Sequence, residues 1–348
     1  MRQERKRLGY GIEEPEYVVH GYENEYFAKA KMLIRSADVI IYGGAQGAFA
    51  KPSLYRDKTV LYYSERLFKT RPQKWQLLLK AIKYYFRFTY RRNSFLLCAG
   101  AYTAADFAKT HTFKNRCYRW GYFPAAKRYD IANLTKHKDK RKILWCGRLL
   151  SWKHPECAIE VARRLKSDGI DFCMDIIGIG ECEDQMKALI AKHHLDDCVR
   201  LLGAMTPDEV RLYMETAGIF IFTSDRQEGW GAVLNEAMNS VCAVVASHEI
   251  GAVPYLVEDN KNAMIYPSSD TDTLYQKVRY LLENTVEQER LGRAAYQTIV
   301  SEWNAEVAAK RLITLSKHIL EGEAPDNLYT SGPCSKAEIL KDNWLRED

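Results

Sequence analysis

No apolar run in this chain approaches the ~18 residues that a membrane-spanning helix requires. Nothing resembling a secretory leader opens it: residues 1–7 are charged and no apolar stretch follows, so a cytoplasmic location is expected. The nine cysteines form no close-spaced pair of the kind that ligates zinc, and their odd number does not suit a disulfide framework. Cys146, Cys173 and Cys242 lie in or beside apolar runs, as small core residues do, which points to a reducing compartment. There is no cluster of aspartates to clamp a metal, no internal repeat and no low-complexity tract. One further absence is local: between Arg66 and Ala105 there is no acidic residue at all.

What is present is a chain of 348 residues with 47% apolar and 28% charged content, enough for about two domains of ~150 residues each. The net charge of +6 hides a division. Residues 1–140 carry 28 Lys and Arg against 12 Asp and Glu, a net +16, and the remainder is −10. Such a split implies two domains with different partners.

Strands alternate with helices along both halves, which argues for parallel sheets. In the first half, strands are expected at 37–42, 59–63, 94–98 and 118–122, with helices at 25–36, 74–92 and 103–109. Residues 126–140 are polar and basic and read as a linker between a domain of 1–125 and one of 141–320, with a polar tail from 321 to 348. The second half has strands expected at 142–146, 172–177, 199–202, 218–222, 242–246 and 263–266. Helices fall between them, as in a doubly wound domain whose ligands lie at the C-terminal strand ends.

Those strand ends carry the chemistry. The first is Gly147-Arg148-Leu149-Leu150-Ser151-Trp152-Lys153, two cations around a glycine turn. The second is Gly178-Ile179-Gly180 and the third Gly203-Ala204-Met205-Thr206. The fourth runs through Glu228, Gly229 and Gly231 into a helix that carries Glu236, and the fifth is followed by Gly251. A glycine turn that opens a helix presents free backbone amides to an anion, so a phosphate is expected on the amides of Gly231, Ala232 and Val233. Any single such turn is common in α/β proteins; five in succession on one rim point to a ligand site.

Gly147-Arg148-x4-Lys153, Gly178-x-Gly180, the Gly203 loop and Glu228-x7-Glu236 followed by Ala237-Met238 resemble the nucleotide-sugar domain of glycosyltransferase family 4. The likeness covers residues 140–320 and the motifs stand in the family's order. It implies the GT-B fold, α/β throughout: two Rossmann-like doubly wound domains facing a cleft, the N-terminal one incomplete here. It also implies a retaining, metal-independent transfer of a hexosyl unit from a nucleotide-diphosphate sugar, a UDP-sugar favoured, with no cofactor. The acceptor would be a glycan or lipid-linked saccharide, in surface polysaccharide biosynthesis. By the same resemblance Arg148 and Lys153 hold the donor diphosphate, Glu236 binds the ribose hydroxyls, Glu228 lies against the donor sugar, and Gly203, Ala204 and Met205 meet the base. The first half departs from the family. Its usual first strand and glycine loop are missing, residues 4–10 resemble a passage that follows them, and Ser64-Glu65-Arg66 stands where a His is frequent. Glu65 is a candidate on the acceptor side.

The acid-free stretch 66–105 holds nine cations with Trp75, Tyr84, Tyr85, Phe86, Phe88 and Tyr90 interleaved. A basic, aromatic, amphipathic helix suits an anionic membrane surface on the inner face. The competing readings are a packed helix whose aromatics are core, and a nucleic-acid face; the acidic second half and the lack of a nucleic-acid motif oppose the latter. A catalytically silent nucleotide-sugar-binding or scaffold protein on the same fold is the alternative function.

Overall fold

Apolar β-rich runs separated by amphipathic stretches build strand–helix repeats throughout. The computed structural model describes residues 17–44, 47–70, 72–89, 93–323 and 328–346. It sorts them into two units. One comprises the described part of Gly11–Gly121 with Ala308–Lys341; the other comprises Tyr122–Val307 with the segment from Asp342 onward.

The N-terminal unit contains α1 (Phe27–Ser36), β1 (Val39–Tyr42), β2 (Thr59–Ser64), α2 (Lys74–Tyr84), β3 (Ser94–Ala99), α3 (Thr103–Ala108) and β4 (Cys117–Trp120). The four strands are parallel and lie in chain order. Val60, Leu61, Leu96 and Leu97 are wholly buried. Aromatic edges complete the core, with Phe88 4.5 Å from Tyr62 and 5.1 Å from Phe113 between ring centroids. The helix expected over 74–92 is regular only to Tyr84. A π-helical turn, Tyr85–Thr89, follows, and Tyr90 to Arg92 lie outside the described residues.

The C-terminal unit runs α4 (Ile131–His137), β5 (Asp139–Cys146), α5 (Glu156–Ser167), β6 (Cys173–Ile177), α6 (Glu183–Lys192), β7 (Val199–Leu201), α7 (Pro207–Thr216), β8 (Ala217–Phe222), α8 (Ala232–Asn239), β9 (Ala243–Ser247), α9 (Val253–Leu256), β10 (Met264–Tyr266), α10 (Thr271–Glu283) and α11 (Thr285–Ser301). α12 (Ala305–Glu321) then carries the chain into the other unit. Successive strand residues enter opposite cores. Ile219 and Ile221 pack with α5, α6 and α10, whereas Phe220 and Phe222 pack with α8 and α11. The all-parallel sheet has the order β10-β9-β8-β5-β6-β7, so the strand order reverses between β5 and β8, where a doubly wound sheet binds ligand.

Two boundaries differ from the expectation. Residues 126–140 are not a free linker: they hold α4 and the start of β5, and their polar groups are used. The Lys127 amide donates to Asn239 Oδ1 (2.8 Å), the Tyr129 hydroxyl donates to Glu215 (2.6 Å), and the buried Lys138 ammonium donates to the Ala217 carbonyl (2.6 Å). Pairing of this kind leaves no mark in composition. The tail from 321 is not solvated throughout either. Cys334 and Ser335 are buried, the Arg119 amide donates to the Ser335 carbonyl (2.7 Å), and Lys336 bridges antiparallel to Tyr118. This segment covers the β4 edge, whose backbone groups would otherwise lack partners. The chain then returns to the C-terminal unit, where Trp344 and Leu345 pack on the core containing Phe220.

Candidate functional site

The glycine turns lie side by side because their backbones are stitched together. The Gly147 amide donates to the Ile177 carbonyl (3.0 Å), Leu149 to Ile179 (2.9 Å), and Gly178 to the Gly203 carbonyl (2.8 Å). The ends of β5, β6 and β7 thus form one rim. Only glycine fits at 178. Its φ is +141°, and a Cβ there would stand 1.8 Å from the Gly147 carbonyl oxygen.

Across the switch point, the end of β5 meets the end of β8. Lys153 Nζ lies 2.5 Å from Glu228 Oε2, with only 11% and 14% of the two side chains exposed. Ser224 Oγ donates to the same carboxylate oxygen at 3.2 Å. Behind the pair, Trp145 Nε1 donates to Thr223 Oγ1 (2.9 Å), which in turn donates to the Lys153 carbonyl (2.6 Å). The ammonium is therefore fixed from its backbone outward. It also lies 4.7 Å above the Trp152 ring.

The Glu228 loop is held from behind. The Gly251 amide donates to the Glu228 carbonyl and the Ala252 amide to the Trp230 carbonyl, both at 3.1 Å. The Trp230 ring is fully buried, 5.7 Å from Trp303, and its Nε1 donates to Asn235 (2.9 Å). Gly231, at φ +93°, turns the chain into α8, and no side chain caps that end. The amides of Ala232 and Val233 thus open a helix N-terminus directly after the Lys153–Glu228 pair, as an anion site requires.

Glu236 follows one turn into α8. Burial pushes its carboxyl above the ordinary range, opposed by the charge of Arg211, whose guanidinium is 4.0 Å away. Arg211 itself is pinned by the Glu236 carbonyl (3.1 Å) and Asn239 Oδ1 (3.0 Å). Cys146 ends β5 at this rim. Its thiol is pushed up to about 12 by burial first and by the Glu236 charge second, with the Lys153 charge opposing.

Arg148 is exposed beside Gly147, and no side-chain ion pair or hydrogen bond of its guanidinium is present among the described residues. Ala204 is exposed as well, whereas Met205 packs partly into the core that holds Phe220. Glu65 pairs with Lys69 at 3.2 Å, and Arg66 is buried against Asp106 at 3.4 Å, so the latter is a packing residue. Residues 4–10 lie outside the described residues.

Two groups went unrecognised in the sequence. His154, in a left-handed backbone conformation, bridges Glu156 (2.9 Å) and Asp225 (3.5 Å) and so ties the β5 loop to the β8 loop. These partners, Asp225 foremost, lift its imidazole from the ordinary 6.5 to about 9. The second is Arg211. Its pairing with Glu236 depends on α7 meeting α8, and nothing in local spacing announces it. Among the described residues, no group of three or more His, Cys, Asp or Glu is placed to hold a metal ion.

Two parallel Rossmann-like sheets define the GT-B class of α/β glycosyltransferase folds. The structure of a glycosyltransferase from Rickettsia africae superposes with a TM-score of 0.67 at 16% identity over 92% of this chain and 88% of that one. Anabaena HepE in complex with UDP gives a TM-score of 0.65 at 17% identity, over 84% and 82%. Residues 127–298, just under half of the chain, match the family model "Glycosyl transferases group 1". The amylovoran biosynthesis glycosyltransferase AmsK of Erwinia amylovora is 32% identical over 183 residues, 51% of this chain and 45% of that protein. The chain spans about half the length of the curated relatives it matches.

Proposed function

We propose that the protein is a retaining glycosyltransferase that moves a hexosyl unit from a nucleotide-diphosphate sugar to a saccharide or lipid-linked acceptor in surface polysaccharide assembly. The observation that carries this reading is the meeting of Lys153 and Glu228 at the sheet's switch point, beside the uncapped start of α8, the helix that carries Glu236 one turn on. The name of the Erwinia relative and the UDP held by the Anabaena neighbour support the same class of reaction and donor.

In this reading the diphosphate lies on the amides of Gly231, Ala232 and Val233, between Arg148 and Lys153. Breaking the sugar–phosphate bond leaves an oxocarbenium-like sugar and adds charge to the departing diphosphate. Preorganised cations and amides aimed at that charge lower the barrier, and losing one such donor costs ~10²–10³ in rate. With two cations and a helix N-terminus available, a metal clamp is not needed. Lys153 is held by Glu228 before donor arrives, so its ammonium needs little reorganisation. Glu236, half-buried and short of partners, accepts hydrogen bonds from the ribose hydroxyls. The base meets the backbone of Gly203, Ala204 and Met205, and the glycine at 147 lets the phosphates approach.

A thermal-shift screen over UDP-, GDP- and ADP-sugars, followed by assays of UDP release and sugar transfer, tests the reading. Stabilisation by one donor class together with turnover supports it. Donor binding without turnover by the folded protein leaves a silent nucleotide-sugar-binding protein, and no donor effect removes the proposal.

A further inference from the structure

Helix α2 and the π-helical turn that follows it expose what a soluble helix would ordinarily bury. Trp75 (58% exposed), Leu78 (63%), Leu79, Ile82 and Phe86 (71%) recur every three or four residues, which puts them on one stripe. The opposite side of the same element is the packed one. Tyr84 stacks on Phe107 of the core and Phe88 meets it edge-on, at 6.0 and 6.5 Å between ring centroids. The interleaved aromatics therefore divide: Tyr84 and Phe88 are core, whereas Trp75, Tyr85 and Phe86 face outward. The π-helical turn starting at Tyr85 lies where the chain passes from outward Phe86 to inward Phe88.

The cations divide as well. Arg66 is spent on Asp106. Lys69, Lys74 and Lys83 are exposed around the stripe, and Lys80 lies 4.4 Å over the Phe68 ring. Glu65 is paired with Lys69, and the Asp106 carboxylate, itself buried, accepts from the Phe68 amide at 3.0 Å. A cavity of about 490 Å³ opens beside the stripe, between the loop at Phe68 and Lys69 and the first turns of α2 at Trp75 and Leu79. Leu67, Phe68, Trp75 and Leu79 line it together with Lys69 and Lys80.

We infer that this face of α2 docks on an anionic phospholipid surface, with the Trp75–Phe86 stripe entering the interface and Lys69, Lys74 and Lys83 meeting the lipid phosphates. A hydrophobic face bordered by cations and free of acids is complementary to such a leaflet. It is not complementary to itself: a second copy seated on this stripe would bring lysines against lysines. No helix among the described residues is long and apolar enough to cross a membrane, so the contact is a surface one. The inference goes beyond sugar transfer and stands on different residues, so the two can fail separately.

The test is co-sedimentation of the full chain with vesicles of phosphatidylcholine alone and of a phosphatidylcholine–phosphatidylglycerol mixture. The expected result is binding to the mixture only, weakened by salt. Trp75→Ser with Phe86→Ser should cut the partition coefficient at least ~tenfold, since each buried large apolar side chain is worth about that factor. Lys74→Gln or Lys83→Gln should each cut it about fivefold. All four side chains are exposed, so melting temperatures should stay level and UDP binding should persist. Absence of binding to the mixture, equal binding to both vesicles, or unchanged binding by the Trp75/Phe86 variant would overturn the inference. A dimer in sedimentation that the same variant dissolves would also overturn it, by assigning the stripe to a second copy.

Discussion

Replacing Arg148 by Ala separates chemistry from folding more cleanly than any other change at the site. The guanidinium is exposed and has no side-chain partner among the described residues, so its loss should move folding stability by no more than about 0.5 kcal/mol. If it faces the leaving diphosphate, turnover at saturating donor should fall ~10²–10³, or ~2.7–4 kcal/mol of barrier. Lys153→Ala is the contrast. It strands the Glu228 carboxylate, 14% exposed, with the Ser224 hydroxyl in place of an ammonium at 2.5 Å, so it should lower the melting temperature as well as the rate. Arg148→Lys should recover only part of the rate, since an ammonium keeps the charge and loses the planar fork that grips two phosphate oxygens. The assay is initial-rate release of UDP from saturating UDP-sugar, with a thermal melt of each variant. Wild-type release by the Ala variant would exclude Arg148 from diphosphate stabilisation. So would a rate loss that tracks a fallen melting temperature.

Other expectations follow from the same geometry. Glu236→Gln should raise the melting temperature without donor and raise the donor KM, with kcat nearly unchanged. Burial lifts this carboxyl's folded pKa, so its charge costs stability above that pKa and the cost fades as pH drops; a lower melting temperature at neutral pH would contradict this. His154 works in the opposite sense. Its raised pKa contributes stability that is complete below 6.5 and is lost as pH climbs through about 9, so His154→Gln should flatten the melting-temperature profile across that window. Parallel profiles would count against the Asp225 and Glu156 bridges. Gly251→Ala would set a Cβ 1.8 Å from the Gly229 carbonyl oxygen and push the Glu228 loop forward, costing about 1–3 kcal/mol and weakening UDP binding. Calorimetry at unaltered stability and affinity would show the close approach to be unimportant.

Much of the fold was legible because buried parallel strands are short continuous apolar runs. All six strands of the C-terminal sheet lie within a few residues of their expected positions. The glycine turns were legible for a physical reason too: Gly178 and Gly231 have positive φ and touch neighbouring loops, so other residue types are costly there. What escaped depends on tertiary contact. Lys138 looks like a linker cation until its ammonium is seen on the carbonyls of Met214 and Ala217. Residues 333–337 lack periodicity because their partner is the β4 edge rather than a core face. His154 and Arg211 carry no local pattern, since their acids arrive from other elements. In α2, the run of aromatics gave no sign of which rings face inward, because the π-helical turn shifts the phase at Tyr85.

In the proposed function, the rim around Gly147, Lys153 and Gly231 grips a pyrophosphate. Calorimetric titration of UDP and of uridine against the wild type and Arg148→Ala tests it most directly. UDP should bind the wild type, uridine should bind far more weakly, and the variant should lose most of the difference between them. Equal affinity for UDP and uridine, or a difference that survives the substitution, would contradict it.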